Sequence, residues 1–148
     1  MPKILIIVGS KSDLPKVEKY LSVLEELNLE YQLEVASAHR TPEKVKELAE
    51  TAREKGFEVI VTGAGLAAAL PGVVAAHTTL PVIGVPIAAG ALNGIDALYS
   101  IVQMPPGIPV GTMGIDNFRN AFIYAAHILS VKYPEIEQSL KKYRENHK

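Results

Sequence analysis

Five apolar runs rich in β-branched residues recur along the chain, and helical patterns lie between them. The runs that we predict as strands are Lys3–Val8, Tyr31–Ser37, Glu58–Gly63, Leu80–Pro86 and Ile108–Met113. Unbroken apolar runs are typical of strands that are buried on both faces, as in a parallel sheet. Parallel strands need long crossover connections, which the helical segments provide. The pattern therefore predicts an α/β fold with three layers, a doubly wound parallel sheet between two layers of helices.

The helical segments carry their own start and stop signals. In the clearest of them, Thr41 suits the N-cap, Pro42 the first turn and Gly56 the position after the end. An apolar stripe from Leu14 to Leu27 predicts the first helix. The remaining predicted helices are Ala67–His77, Gly94–Val102, Asn117–Val131 and a last helix that begins at Pro134. No linker, repeat or low-complexity tract separates them, so we predict a single domain over residues 1–148.

Composition excludes several classes of function. The net charge is −1, which gives no reason to expect a nucleic acid or an anionic membrane as partner. The chain has no Cys, and no pair of His or carboxylate residues has a metal-ligand spacing, so we predict no metal site. The apolar start is too short for a signal peptide, and Gly and Pro interrupt every longer apolar window. We therefore expect a cytoplasmic protein.

Ligands of doubly wound sheets bind outside the carboxyl ends of the strands. The segments that follow the first four predicted strands are Gly9–Asp13, Ser37–Pro42, Gly63–Gly72 and Pro86–Gly94. Three of them are rich in small residues, which lets backbone amides approach a ligand closely. The functional residues are therefore expected in these four segments.

The segment "GSKSD", Gly9–Asp13, has two interpretations. Its backbone N–H groups and hydroxyls suit a phosphate, and the Asp13 carboxylate suits ribose hydroxyls. Alternatively, Ser12 or Asp13 only caps the next helix. The segment is not a Walker loop, because the glycine spacing differs and Lys11 comes too early.

The segment "GAGLAA" matches the pattern G-x-G-x-x-A of dinucleotide-binding loops. It follows the third predicted strand, however, and no acidic residue stands at the end of the next strand to bind a ribose. A tight helix–sheet contact, or a loop that closes over a smaller ligand, is therefore favoured over dinucleotide binding.

His39, in "SAHRTP", is the most informative residue. An imidazole can both give and take a proton near neutral pH, and the neighbouring Arg40 offers a planar fork for a phosphate or carboxylate. The alternative interpretation is structural: His39 only caps the end of the strand, and Arg40 is a solvated surface charge. A lone histidine more often has that structural role, but its position at the carboxyl end of a strand, where three other segments converge, gives the catalytic interpretation equal weight.

Four motifs together resemble a known family. They are "GSKSD", "SAHRTP", "GAG…LPG" and "LYSIVQMPPGIPVGT", in this order over nearly the whole chain. The resemblance is to the PurE family of purine biosynthesis, and most closely to its mutase class. It implies a flavodoxin-like fold, a single catalytic domain over residues 1–148 and a homo-octamer. It also implies an isomerase that moves a carboxylate from the exocyclic nitrogen of an aminoimidazole ribonucleotide to a ring carbon, without metal or cofactor.

The resemblance also assigns residues to the site. It implies that His39 is the general acid/base, that Ser10, Asp13 and Arg40 bind the ribose phosphate, and that Ser37 positions the site. The residues assigned to substrate binding are Ser10, Asp13, Ser37, Arg40, Gly63, Ala64 and Gly65. The glycine loop would keep freed carbon dioxide from escaping into water.

One motif departs from the family pattern. The mutase class usually reads "GAGGAAHLPG" where this chain reads "GAGLAAALPG", so Leu66 stands in place of a Gly and Ala69 in place of a His. Two alternatives to the mutase follow. One is a carboxylase of the same family that uses free carbon dioxide, against which "SAHRTP" argues. The other is a ribonucleotide-binding protein with weakened catalysis.

Overall fold

The computed structural model describes residues 1–148 and contains one sheet of five parallel strands. The strands are β1 (Lys3–Val8), β2 (Glu30–Val35), β3 (Phe57–Gly65), β4 (Val82–Ile87) and β5 (Gly111–Thr112). Their order in the sheet is β2-β1-β3-β4-β5, and every neighbouring pair is parallel. The predicted doubly wound α/β fold is confirmed.

Seven helices cover the two faces of this sheet. They are α1 (Leu14–Glu18), α2 (Leu21–Glu26), α3 (Pro42–Thr51), α4 (Leu70–Ala76), α5 (Ile95–Val102), α6 (Phe118–Ser130) and α7 (Pro134–Asn146), and a 3-10 turn at Lys11–Asp13 precedes α1. None of the helices combines the length and the apolar character needed to span a bilayer.

The core consists of two apolar clusters, one on each face of the sheet. Successive side chains of a strand point to opposite faces. In β1, Ile4 and Ile6 therefore pack with α1, α2, α6 and α7, whereas Leu5 and Ile7 pack with α3, α4 and α5. Because all four side chains are at most 1% exposed, the sheet is covered on both faces, as the unbroken apolar runs predicted.

Several elements differ from the sequence prediction in their bounds, and the helix predicted from Ala67 begins only at Leu70. Three of the differences have a local cause. The stripe from Leu14 to Leu27 forms two helices, because the N–H of Tyr20 bonds to the carbonyl of Val17 at 3.0 Å and tightens the chain there. Strand β5 has only two residues, since it lies at the sheet edge and pairs with β4 alone. Strand β3 continues to Gly65, because β4 pairs with it along the whole "GAG" segment.

The strand order places a crevice at one end of the sheet. The chain passes from β1 to β2 on one side, and then crosses back to β3 on the other side of β1. The connections that leave β1 and β3 therefore diverge to opposite faces, and ligands of doubly wound sheets bind at such a point. The sheet topology thus selects the carboxyl ends of β1 and β3 as the place for a site.

Candidate active site

A cavity of about 300 Å³ lies at this crevice. It is lined by Gly9, Ser10, Ser12, Asp13, Ser37, Ala38, His39, Arg40, Ala64, Gly65, Leu66, Ala67, Ala68, Ala69, Leu70 and Ala89. All four segments that the sequence singled out contribute to it. Seven of the eight predicted site residues line the cavity, and the exception is Gly63.

Gly63 is buried inside β3 and does not reach the cavity wall. A Cβ at this position would lie 2.5 Å from Cζ of Phe118 on α6. The glycine is therefore required for the close packing of α6 against β3, which is the helix–sheet contact that the sequence offered as one interpretation of "GAGLAA".

The residues after β1 form one part of a polar wall. Ser10 caps the 3-10 turn, since its Oγ accepts a hydrogen bond from the N–H of Ser12 at 3.2 Å. Asp13 occupies the N-cap position of α1, but its carboxylate makes no capping hydrogen bond. The interpretation of Ser12 or Asp13 as a capping side chain is therefore wrong, since Ser10 caps the preceding turn and no side chain caps α1. The carboxylate of Asp13 is available to a ligand.

The surroundings of Asp13 raise the pKa of its carboxyl group. Partial burial raises the pKa of its carboxyl group above the ordinary value of 3.8, and the charge of Asp116 raises it further. A backbone hydrogen bond from Ser10 and the charge of Lys16 lower this pKa, but burial is the largest contribution. A hydrogen-bond donor on a ligand would stabilise the charged form.

An ion pair that the sequence analysis missed holds the loop after β4. Nζ of Lys16 lies 3.0 Å from both carboxylate oxygens of Asp116 and donates to the carbonyl of Ala88 at 3.0 Å. Asp116 also accepts a hydrogen bond from the N–H of Ala88 at 2.9 Å. These contacts fix the backbone next to Ala89, which is the part of the β4 loop that lines the cavity.

The turn after β2 is closed by hydrogen bonds between its two ends. The N–H of Ser37 donates to Oγ1 of Thr41 at 2.9 Å, and the N–H of Thr41 donates to the carbonyl of Ser37 at 2.9 Å. Oγ of Ser37 accepts from the N–H of Arg40 at 3.1 Å. Thr41 is the N-cap residue of α3, as predicted, but its hydroxyl closes this turn instead of capping α3. The turn presents His39 and Arg40 at its exposed tip.

The opposite wall of the cavity is apolar. It consists of Ala64, Leu66, Ala67, Ala68, Ala69, Leu70 and Ala89. Gly65 lets the loops after β3 and β4 approach each other, because a Cβ there would lie 3.2 Å from Cβ of Ala89 and 3.3 Å from the carbonyl oxygen of Ile87. The sequence analysis expected functional residues throughout Gly63–Gly72 but assigned substrate binding only to Gly63, Ala64 and Gly65, since a run of alanines has no distinctive chemistry.

A larger cavity, of about 790 Å³, lies at the amino ends of β4 and β5. Its two basic side chains, Arg53 and His77, already have partners within the chain. Nη2 of Arg53 donates to Oγ1 of Thr79 at 2.9 Å, and Nδ1 of His77 lies 3.5 Å from Oε1 of Glu50. The smaller cavity is the better candidate, because it has the uncapped carboxylate of Asp13 and the exposed imidazole and guanidinium groups.

The chain matches the family model described as AIR carboxylase over residues 3–148. It belongs to this family, the PurE family. Proteins named N5-carboxyaminoimidazole ribonucleotide mutase are similar over nearly its whole length. The protein of Pyrococcus abyssi is 61% identical, over 100% of this chain and 85% of the relative. The protein of Thermotoga maritima is 53% identical, over 100% of this chain and 86% of the relative. The protein of Escherichia coli is 49% identical, over 96% of this chain and 85% of the relative.

A solved structure supports the same assignment. The crystal structure of Treponema denticola PurE is 31% identical to this chain, with a TM-score of 0.87 over 99% of this chain and 92% of that one. The predictions of a PurE-family protein and of a flavodoxin-like fold are therefore confirmed.

Proposed function

We propose that this PurE-family chain is an N5-carboxyaminoimidazole ribonucleotide mutase, an isomerase of purine biosynthesis. Relatives that are 48–61% identical to it carry that name. These relatives favour the mutase over the carboxylase and over a non-catalytic ribonucleotide-binding protein. The structural observation that supports the proposal is the position of His39, which lies with Arg40 and Asp13 on the polar wall of a cavity whose other wall is apolar.

The reaction needs two proton transfers, and one imidazole can perform both. His39 in its protonated form gives a proton to the exocyclic nitrogen, the bond from that nitrogen to the carboxylate carbon breaks, and carbon dioxide is released. The ring carbon attacks the carbon dioxide and forms the new carbon–carbon bond. His39, now neutral, takes the proton that this ring carbon loses. The enzyme returns to its first state, so neither a cofactor nor an oxidant is required.

The polar wall supplies groups that fit the rest of the substrate. The guanidinium of Arg40 can bind a phosphate through two parallel hydrogen bonds, and the hydroxyl of Ser10 can donate a third. The uncapped carboxylate of Asp13 accepts hydrogen bonds from ribose hydroxyls. Ser37 acts as a positioning residue, because its hydroxyl holds the backbone of Arg40 next to the imidazole.

Ala64 and Gly65 complete the proposed substrate site on the side of β3. They let the planar imidazole ring of the substrate approach the backbone closely, since neither has a side chain larger than a methyl group. For Gly63 we propose an indirect contribution, through the packing of Phe118 that supports this end of β3.

Two incubations of the pure protein test the function. In the first, it is mixed with N5-carboxyaminoimidazole ribonucleotide, and formation of the ring-carboxylated product is followed by absorbance. In the second, the substrate is the uncarboxylated amine with bicarbonate. If the protein is a mutase, we expect rapid turnover in the first incubation and not in the second. Rapid turnover in the second at low bicarbonate would identify a carboxylase, and binding without turnover in either would identify a non-catalytic binding protein.

We further propose that the chain assembles with copies of itself, as the octamer of the family implies. Ile95, Tyr99 and Val102 recur at helical spacing on α5 and are all exposed, with Tyr99 63% exposed. An exposed apolar face of this kind marks an interaction surface. The apolar segment 66–80 is instead mostly used by the chain's own core, where Leu70 and Val74 are buried.

Light scattering coupled to size-exclusion chromatography gives the mass of the assembly. Tyr99→Glu is expected to dissociate the assembly, because the substitution puts a charge into the face of α5 that assembly would bury. A monomeric wild-type protein at micromolar concentration would contradict the assembly. A cytoplasmic location remains a prediction from the sequence.

A further inference from the structure

Leu66 has a backbone conformation that is unfavourable for its residue type. Its φ is +56°, in the left-handed region where a Cβ crowds the backbone. Burial of the side chain in the core does not offset this backbone strain, since the side chain is 55% exposed. Strain of this kind persists where it serves a function, and the side chain of Leu66 lines the candidate active site.

The side chain of Leu66 connects the two loops of the apolar wall. Its Cδ2 lies 2.9 Å from the position that a Cβ of Gly90 would take, in the loop after β4. Gly90 is itself left-handed, with φ of +67°. A side chain at residue 90 would therefore displace Leu66, and a glycine at residue 66 would leave the gap between the two loops open.

We propose that Leu66 is a positioning residue that closes the apolar side of the cavity and retains carbon dioxide between the two halves of the reaction. This inference rests on the proposed function. Carbon dioxide is neutral and has no dipole, so an apolar wall costs it no hydrogen bonds, whereas bicarbonate would lose its hydration there. Closure by Leu66 therefore favours capture by the ring carbon over escape and hydration.

Isotope retention measures this role directly. The substrate is labelled with carbon-13 in the carboxylate that is transferred, and the buffer contains unlabelled bicarbonate. Mass spectrometry then gives the fraction of product that keeps the label, with a reaction lacking enzyme to correct for spontaneous loss. We expect the wild type to retain nearly all of the label, and Leu66→Gly to lose several-fold more of it.

The choice of variants separates retention from folding. Glycine adopts a left-handed φ without strain, so Leu66→Gly is expected to melt no lower than the wild type. Leu66→Ala keeps the strain but removes the closing side chain, and it is expected to lose label as well. Leu66→Met restores apolar bulk and is expected to restore retention. Val131→Ala removes apolar surface far from the cavity and should retain label like the wild type.

Each other outcome contradicts the inference. Equal retention in the wild type and Leu66→Gly, with normal turnover in both, would overturn the role of Leu66 and leave the proposed function intact. A lower mass of the assembly in Leu66→Gly would show that Leu66 belongs to a subunit interface instead. Failure of the wild type to form any product would overturn the proposed function and, with it, this inference.

Discussion

The two walls of the cavity are held in place by different kinds of interaction. The turn from Ser37 to Thr41 is closed by short hydrogen bonds between its own residues, and it presents His39 and Arg40. The loop at Leu66 has a left-handed backbone, and the side chain of Leu66 lies against Gly90, 24 positions away in the chain. The turn that carries His39 and Arg40 is thus built locally, and the apolar wall by tertiary packing. Proton transfer and retention of the transferred group should therefore respond separately to mutation.

The largest effect is expected from His39→Asn. Loss of a general acid/base typically lowers the rate by about 10²–10⁴-fold, and we expect kcat to fall within this range. Because His39 is exposed and Asn keeps a polar group at the tip of the turn, the melting temperature and the affinity for product should change little. Stopped-flow absorbance and calorimetry measure these quantities.

His77→Asn is the matched control for this variant. His77 lies at the other end of the sheet, beside Glu50, and should be replaceable with turnover unchanged. A His39→Asn enzyme with near-normal kcat would show that the polar wall performs no proton transfer.

A smaller effect is expected from Thr41→Val, which keeps the shape of the side chain but removes its hydrogen bonds to Ser37. Small misplacement of a catalytic group can cost up to about 10²-fold in rate, so we expect kcat to fall about tenfold. The free energy of unfolding should drop by about 1–2 kcal/mol, as for two lost hydrogen bonds.

Thr51→Val tests whether the position of the hydroxyl matters. The hydroxyl of Thr51 bonds to the carbonyl of Glu47 at 2.8 Å within α3, away from the cavity. Its loss should affect stability at most. Equal kcat in the two variants would mean that the hydrogen bonds of the turn do not position His39.

This difference between the walls also explains what the sequence could predict. A strand end, a turn and a helix start lie within a few residues of one another in "SAHRTP", so local patterns locate the polar wall. The pair of Lys16 and Asp116 joins residues 100 positions apart, and no local pattern connects them. Leu66 was visible as a departure from the family motif, but its φ depends on how the loops after β3 and β4 meet. The order of the strands in the sheet likewise depends on contacts between distant residues, so local patterns do not show it. The strands themselves followed from their apolar runs.

Gly65→Ala tests the apolar wall by overpacking it. The added methyl would lie 3.2 Å from Cβ of Ala89, so the two loops must separate slightly. Overpacking typically costs about 1–3 kcal/mol of stability, and we expect a loss in this range with a few-fold rise in KM. Gly111→Ala is the control, because its Cβ would meet nothing closer than 3.7 Å. A Gly65→Ala enzyme with unchanged KM and unfolding free energy would show that the wall is more compliant than this packing indicates.

The smallest effect concerns Asp13, and its sign is informative. Because burial raises the pKa of this carboxyl group in the folded state, its charged form destabilises the fold at pH values above that raised pKa, and the penalty disappears below the ordinary value of 3.8. Asp13→Asn should therefore be slightly more stable than the wild type at pH 7, with the difference vanishing as the pH falls below 3.8, while its affinity for the ribonucleotide decreases. Urea unfolding at pH 7 and at pH 3.5 measures this, and a variant that is less stable at pH 7 would contradict it. The expected result would give the two walls a common property despite their different construction, since Asp13 on one and Leu66 on the other would each hold a locally unfavourable state that a bound substrate uses.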